Sequence, residues 1–155
     1  MLTLIPKSWF SWDFRVIDNS GDVALIDRHW FRESASFSVD GQSFHVRRTS
    51  LVRGTFTLQH AGVTVAEARK PSSFRRAFEI TTGEDHYRLE AATIVGREFV
   101  LSHNGIPVGS VRPKSFLGRT ATAHFPERLP REIQLFIIFL VLALWKRAAD
   151  AAAAS

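Results

Sequence analysis

The chain has no cysteine in 155 residues. Disulfides, thiolate catalysis, S-palmitoylation and cysteine-based zinc sites are therefore excluded. It has one tyrosine and one methionine against thirteen phenylalanines and four tryptophans. Its aromatic content is thus almost entirely phenylalanine and tryptophan, rigid and bulky rings suited to a core. The motifs that mark phosphate loops, dinucleotide folds, nucleophile elbows and zinc proteases are all missing. Glu127, Glu132 and the scattered aspartates suggest no paired acid and base. The expectation is a non-enzymatic protein without cofactor or metal. The opening residues, MLTLIPKSWFSWD, lack a basic stretch followed by a long apolar one, which argues against a secretory signal. The C-terminal AADAAAAS is low-complexity and either helical or frayed.

With 45% apolar and 23% charged residues, the composition is that of a folded globular chain, read as one domain over residues 1–148 with an Ala-rich tail at 149–155. Net charge is +5 and the cations are mostly arginine. That balance favours acidic partners such as phosphate headgroups or nucleic acid.

One long hydrophobic run stands out. Ile133–Trp145 reads IQLFIIFLVLALW and has no polar face. Such a helix must be enclosed by lipid or by protein. Pro130 and Glu132 suit its start, and Lys146 and Arg147 its end, which places a helix over about 130–147. The apolar run is about 20 Å long at 1.5 Å per residue. A bilayer core needs about 30 Å, or roughly twenty residues. A strand of six to eight residues spans about 20–26 Å. The run therefore matches the height of a barrel and falls short of a membrane.

Short strands precede it. Turn signals at Asn19-Ser20-Gly21, Asp40-Gly41, Ala61-Gly62, Gly83-Glu84-Asp85 and Asn104-Gly105 separate stretches of alternating apolar residues. Pro107 predicts an irregular or edge-like start to its strand. A repeat runs through this region. Phe14, Phe56 and Phe99 are 42 and 43 residues apart, and Phe31, Phe74 and Phe116 are 43 and 42 apart. Lys70-Pro71-Ser72-Ser73-Phe74 closely matches Arg112-Pro113-Lys114-Ser115-Phe116. About four strands per unit give about twelve within residues 2–125. Three units are too few for a propeller. The fold class is mainly β: an antiparallel barrel of about twelve strands enclosing a C-terminal hydrophobic α-helix.

The stretches FRVIDNSGDVALI, FTLQHAGVTVAEARK and FVLSHNGIPVGSV, followed by LPREIQLFIIFLVLALWKR, resemble the tubby C-terminal-like superfamily. That group includes the LURP-one-related proteins and the phospholipid scramblases, and the first three stretches look like the strand–Gly turn–strand units of the LURP-one-related group. The resemblance covers essentially the whole chain. It implies a twelve-stranded barrel around a central hydrophobic helix, and binding of phosphoinositide or other phospholipid headgroups. The acidic calcium-associated segment and cysteine cluster of scramblases have no counterpart here.

In an up-and-down barrel, successive connections fall at opposite ends. The Gly turns then share one rim, carrying Asp18, Asp22, Asp40, Glu84 and Asp85. The other rim collects Arg28, Arg32, Arg47, Arg48, Arg53, Arg69, Lys70, Arg75, Arg76, Arg97, Arg112, Lys114 and Arg119, thirteen of the twenty cations. Against them stand Asp27, Glu33 and Glu98. Each Lys or Arg near an anionic membrane contributes about 1 kcal/mol. The residues assigned to headgroups are Arg69, Lys70, Arg75, Arg76, Arg112, Lys114 and Arg119. Phe74 and Phe116, inside the two matching basic loops, are assigned to membrane contact. The bland alternative has arginines capping strand ends and these phenylalanines plugging the mouth.

Other candidates rank lower. His60 and His103 share a repeat position but have no carboxylate cluster for a metal. Single-strand nucleic-acid binders interleave cations with exposed aromatics. Here the aromatics alternate with polar residues, as core residues do. Trp9, Trp12 and Trp30 are read as core rather than as an interfacial belt. The expectation is a monomeric, cytoplasmic, peripheral membrane module at the inner leaflet. A soluble protein-interaction scaffold and a tail-anchored protein are the alternatives.

Overall fold

The computed structural model describes residues 1–29, 33–50 and 52–155. Strands run from β1 (Leu2–Pro6), β2 (Phe14–Asp18), β3 (Gly21–His29) and β4 (Ser34–Val39) to β5 (Gln42–Ser50) and β6 (Thr55–His60). Then follow β7 (Val63–Arg69), β8 (Ala77–Thr82), β9 (Asp85–Ala91), β10 (Phe99–His103), β11 (Ile106–Pro113), β12 (Ala121–His124) and the helix α1 (Arg131–Ala154). Each strand pairs antiparallel with its sequence neighbours. β1 closes on β12 through Leu2 opposite Ala123 and Leu4 opposite Ala121, giving a closed twelve-stranded barrel. Closure removes every unpaired edge.

Strand alternation decides which side chains point inward. Phe14, Val16, Phe56, Leu58, Phe78, Ile80, Leu89, Phe99 and Leu101 are fully buried and surround the helix. Phe139 of α1 meets Phe56 edge-to-face at 5.6 Å, and Phe56 meets Phe78 in the same way at 5.8 Å. From Ile133 to Lys146 every helix residue is buried. The helix is thus the barrel's core. No helix of the described residues is long and apolar enough to cross a membrane.

The repeat is built into the ladder. Register shifts fall between Val16 and Ile17, Leu58 and Gln59, and Leu101 and Ser102. Each lies just before a Gly turn, at the same point of the repeat. Such bulges bend a strand and increase its twist, which helps a sheet close. Asp40-Gly41, Ala61-Gly62 and Asn104-Gly105 hold both central residues at positive φ, the hairpin geometry that matches strand twist. Pro107 sits on no edge; Ser102 faces Pro107 and Leu101 faces Gly109, which leaves Val108 as the extra, bulged residue next to the proline.

The helix runs further than the sequence suggests. The Ala-rich segment continues it to Ala154, so Lys146 and Arg147 do not stand in its last turn. Lys146 is buried and reaches Asp150 at 2.6 Å. The N-terminus of α1 lies at the Gly-turn rim, where Arg131 pairs with Asp18 at 3.1 Å. The hydroxyl and N–H of Ser20, with Arg131, hold the Asp18 carboxyl below its usual range. Arg147 emerges at the opposite, basic mouth. The positive pole of the helix dipole therefore faces the acidic rim, a favourable pairing.

Between β11 and β12 the backbones approach closely. A Cβ on Gly109 would lie 2.6 Å from the His124 carbonyl oxygen. Gly109→Ala is therefore expected to destabilise the barrel by about 1–3 kcal/mol, as overpacking does. Urea denaturation measures it, and an unchanged midpoint would show that β12 is free to move.

Candidate functional site

The end of the barrel opposite the Gly turns is built from longer connections. Their tips are apolar and stand in solvent. Trp9 and Phe10 lie between β1 and β2, Val52 between β5 and β6, and Phe74 between β7 and β8. Ile94 and Val95 lie between β9 and β10, and Phe116 and Leu117 between β11 and β12. These eight side chains are 84% to 98% exposed, while no other large apolar side chain among the described residues exceeds 66%. Every described connection at this mouth carries at least one. Scattered exposed apolar residues need no explanation, but a ring of them at one end marks an interaction surface.

Local chemistry fixes the tips. The Thr93 hydroxyl accepts the Gly96 N–H at 2.8 Å, and the Ser115 hydroxyl accepts the Gly118 N–H at 3.0 Å. The Ser50 hydroxyl does the same for Arg53 at 3.1 Å, and the Ser8 carbonyl for Ser11 at 3.2 Å. Each bond closes a tight turn whose described middle residues face outward. A Cβ on Gly96 or Gly118 would collide with the very hydroxyl that caps the turn.

Arginines then tie each turn to the next. Arg76 donates to the carbonyls of Ile94 and Gly96 at 3.1 and 2.6 Å. Arg97 donates to those of Phe116 and Gly118 at 3.2 and 2.9 Å. Arg119 donates to Ser8 at 2.9 Å and also to Trp9 and Ser11, which closes the chain of contacts across β12 and β1. Their guanidinium groups lie over Phe99 (5.3 Å), Trp145 (4.8 Å) and Trp12 (5.3 Å), respectively. Burial lowers the pKa of Arg97 and Arg119. Two of the headgroup candidates, Arg76 and Arg119, thus hold the scaffold together. A cleft of about 420 Å³ lies among these arginines, Trp12, Trp145, Val95, Leu117 and the emerging helix.

The remaining candidates differ in freedom. Arg75 and Lys114 are exposed beside Phe74 and Phe116, and neither forms an ion pair with another described residue. Arg112 grips Glu98 at 2.6 and 3.1 Å, and Arg69 approaches Glu67 at 3.3 Å. Lys70 is half-buried, with the Ser73 carbonyl at 3.4 Å. Arg28 does not face solvent at the rim. It follows Ile26 in the inward register and is buried inside the mouth. Arg32 lies outside the described residues.

Several assignments change. Trp9 is not core: it is among the exposed tips. Trp12 is partly buried against the core, as expected, and Trp30 lies outside the described residues. Phe74 and Phe116, assigned to membrane contact, are 98% and 93% exposed, so the bland alternative in which they plug the mouth does not hold. The signal for the other tips was present. Thr93-Ile94-Val95-Gly96-Arg97 and Ser115-Phe116-Leu117-Gly118-Arg119 repeat a hydroxyl, two apolar residues, glycine and arginine at a spacing of 22.

The fold and site define a class: a closed twelve-stranded barrel on a helical core, with a ring of apolar tips and cations at one end. No protein-family model matches the chain, and neither a curated protein nor a solved structure matches it.

Proposed function

We propose that this chain is a non-enzymatic peripheral membrane module that docks end-on through its basic mouth onto anionic phospholipid headgroups. The ring of eight exposed apolar tips carries the reading. Aromatic and aliphatic side chains on loops enter the interfacial zone, while Arg75, Lys114, Arg69 and Arg112 lie near the headgroups. The exposed apolar residues are concentrated at this mouth, which favours a membrane over a protein-interaction scaffold. The helix is enclosed by strands, which favours peripheral association over a tail anchor. Strand number, closure and a central helix also support kinship with the tubby C-terminal-like and LURP-one-related proteins. The matching location is the anionic inner leaflet.

Sedimentation with vesicles tests this. The chain is expected to pellet with phosphatidylserine or phosphoinositide vesicles at low salt, with Trp9 fluorescence shifting to the blue. Added nucleic acid should not displace it. Failure to pellet with acidic vesicles at low salt overturns the proposal.

A further inference from the structure

We infer that the barrel mouth holds a site for a phosphate-type dianion, formed by Arg28, Arg48, Lys70 and Arg147 around Glu33. It shares Lys70 with the rim but uses none of the exposed tips. The inference therefore goes beyond membrane docking and stands apart from it.

Glu33 is the centre. It accepts from Arg48 Nη1 at 2.8 Å and from Arg147 Nε and Nη2 at 3.0 and 2.6 Å. One carboxylate thus joins two guanidinium groups. A third guanidinium comes from Arg28, which is only 5% exposed. Its Nε and Nη1 are buried without a hydrogen-bond partner. It lies 5.8 Å over the Phe139 ring, which meets Phe56 edge-to-face, and Arg147 lies 6.0 Å over Phe56. Both guanidinium groups therefore border one pair of rings.

Lys70 completes the group. Its stem passes over Gly54, where a Cβ would lie 3.1 Å from Lys70 Cδ. The glycine leaves room for the lysine stem, whose Nζ lies 3.4 Å from the Ser73 carbonyl. Burial, then Arg147 and Arg48, lower its pKa, and burial lowers that of Arg28. Asp150 also acts on Arg28, but it is held by Lys146 at 2.6 Å.

The charges do not balance. Four cations stand against Glu33 and against Asp13, which accepts the Arg28 backbone N–H at 2.9 Å, while Lys146 and Asp150 cancel. Partly desolvated cations in excess are costly unless an anion joins them. The sign excludes a metal cation. A phosphate-type dianion brings two charges and several acceptor oxygens, which suit arginine forks and a lysine point charge. Chloride supplies one charge and no array of acceptors. Free phosphate and a lipid phosphomonoester share the required chemistry.

The test is calorimetry on the full chain with inorganic phosphate, against chloride at equal ionic strength. Phosphate is expected to bind and to raise the melting temperature by several degrees. Lys70→Met should weaken binding at least tenfold, and Arg28→Met likewise. Should Arg28→Met not fold, Lys70→Met decides, because Lys70 lies only half-buried. Phe116→Asp should leave phosphate binding unchanged even where it abolishes vesicle binding. A second arm compares phosphatidic acid vesicles with phosphatidylserine vesicles of equal surface charge. A Lys70-dependent preference for phosphatidic acid without a response to free phosphate identifies the lipid as the source. If neither arm separates wild type from Lys70→Met, the site does not exist.

Discussion

Leu142→Asp is expected to leave no folded barrel. Leu142 and Ile138 are fully buried in the middle of α1. The strands enclose that helix on every side, so an introduced carboxylate has no route to water. Loss of the leucine packing alone costs about 2–5 kcal/mol. Burying an unpaired charge, or protonating it to avoid that, adds several kcal/mol more. The sum rivals the about 5–15 kcal/mol that hold a typical domain together. Near-ultraviolet circular dichroism and one-dimensional NMR should show no native tertiary structure. Leu142→Met, which conserves volume and polarity, should keep it. A Leu142→Asp chain that stayed folded and merely lost membrane association would mean that strands do not enclose this helix.

That expectation was legible before any coordinates. A run of thirteen residues with twelve apolar members is too short for a bilayer and too greasy for a surface. Hairpin turns and the repeat then supply the wall around it. The repeat was legible, but its meaning was not. Phe14, Phe56 and Phe99 point to the helix, whereas Phe74 and Phe116, set in register by the same period, point to solvent. Trp9 is expected to seal the barrel end or cover the first strand, and the structure instead exposes it. Its exposure follows from its place in a tight turn, which thrusts the middle residues away from the barrel.

The basic mouth was legible as a set of positions. What each arginine does there was not, because the partners lie in other loops. Arg119 reaches carbonyls more than a hundred residues away, at Ser8, a contact that exists only once β1 meets β12. Arg28 was counted at the rim by its number, yet one step of strand register turns it inward. Glu33 looked like a minor offset to the basic charge. Its structural weight comes from Arg48 and Arg147, which converge on it from β5 and from the helix. Burial pushes its carboxyl up, but the bond from Arg147 and the surrounding arginines prevail and hold it below the usual range.

Replacing Phe74, Ile94, Phe116 and Leu117 together by Asp is expected to reduce binding to acidic vesicles by about a thousandfold. Full burial of such a side chain is worth about 1.5–3 kcal/mol. Taking about 1 kcal/mol for interfacial insertion, four of them give about 4 kcal/mol, or about three powers of ten. Repulsion between the new carboxylates and the headgroups adds to that. Neutralising Arg75 and Lys114 by glutamine removes about 1 kcal/mol each, a loss of roughly thirtyfold, and added salt should erase that part. The apolar term should therefore outweigh the basic one and survive at high salt. Because the four side chains are 89% to 98% exposed, their replacement should leave the melting temperature nearly unchanged. Val63→Asp, at the Gly-turn end, is the control and should bind as wild type does. The same order of effects should hold in quantitative vesicle sedimentation across a salt series. A quadruple variant that pelleted like wild type would remove the loop tips from the interface and leave the cations alone to explain any binding.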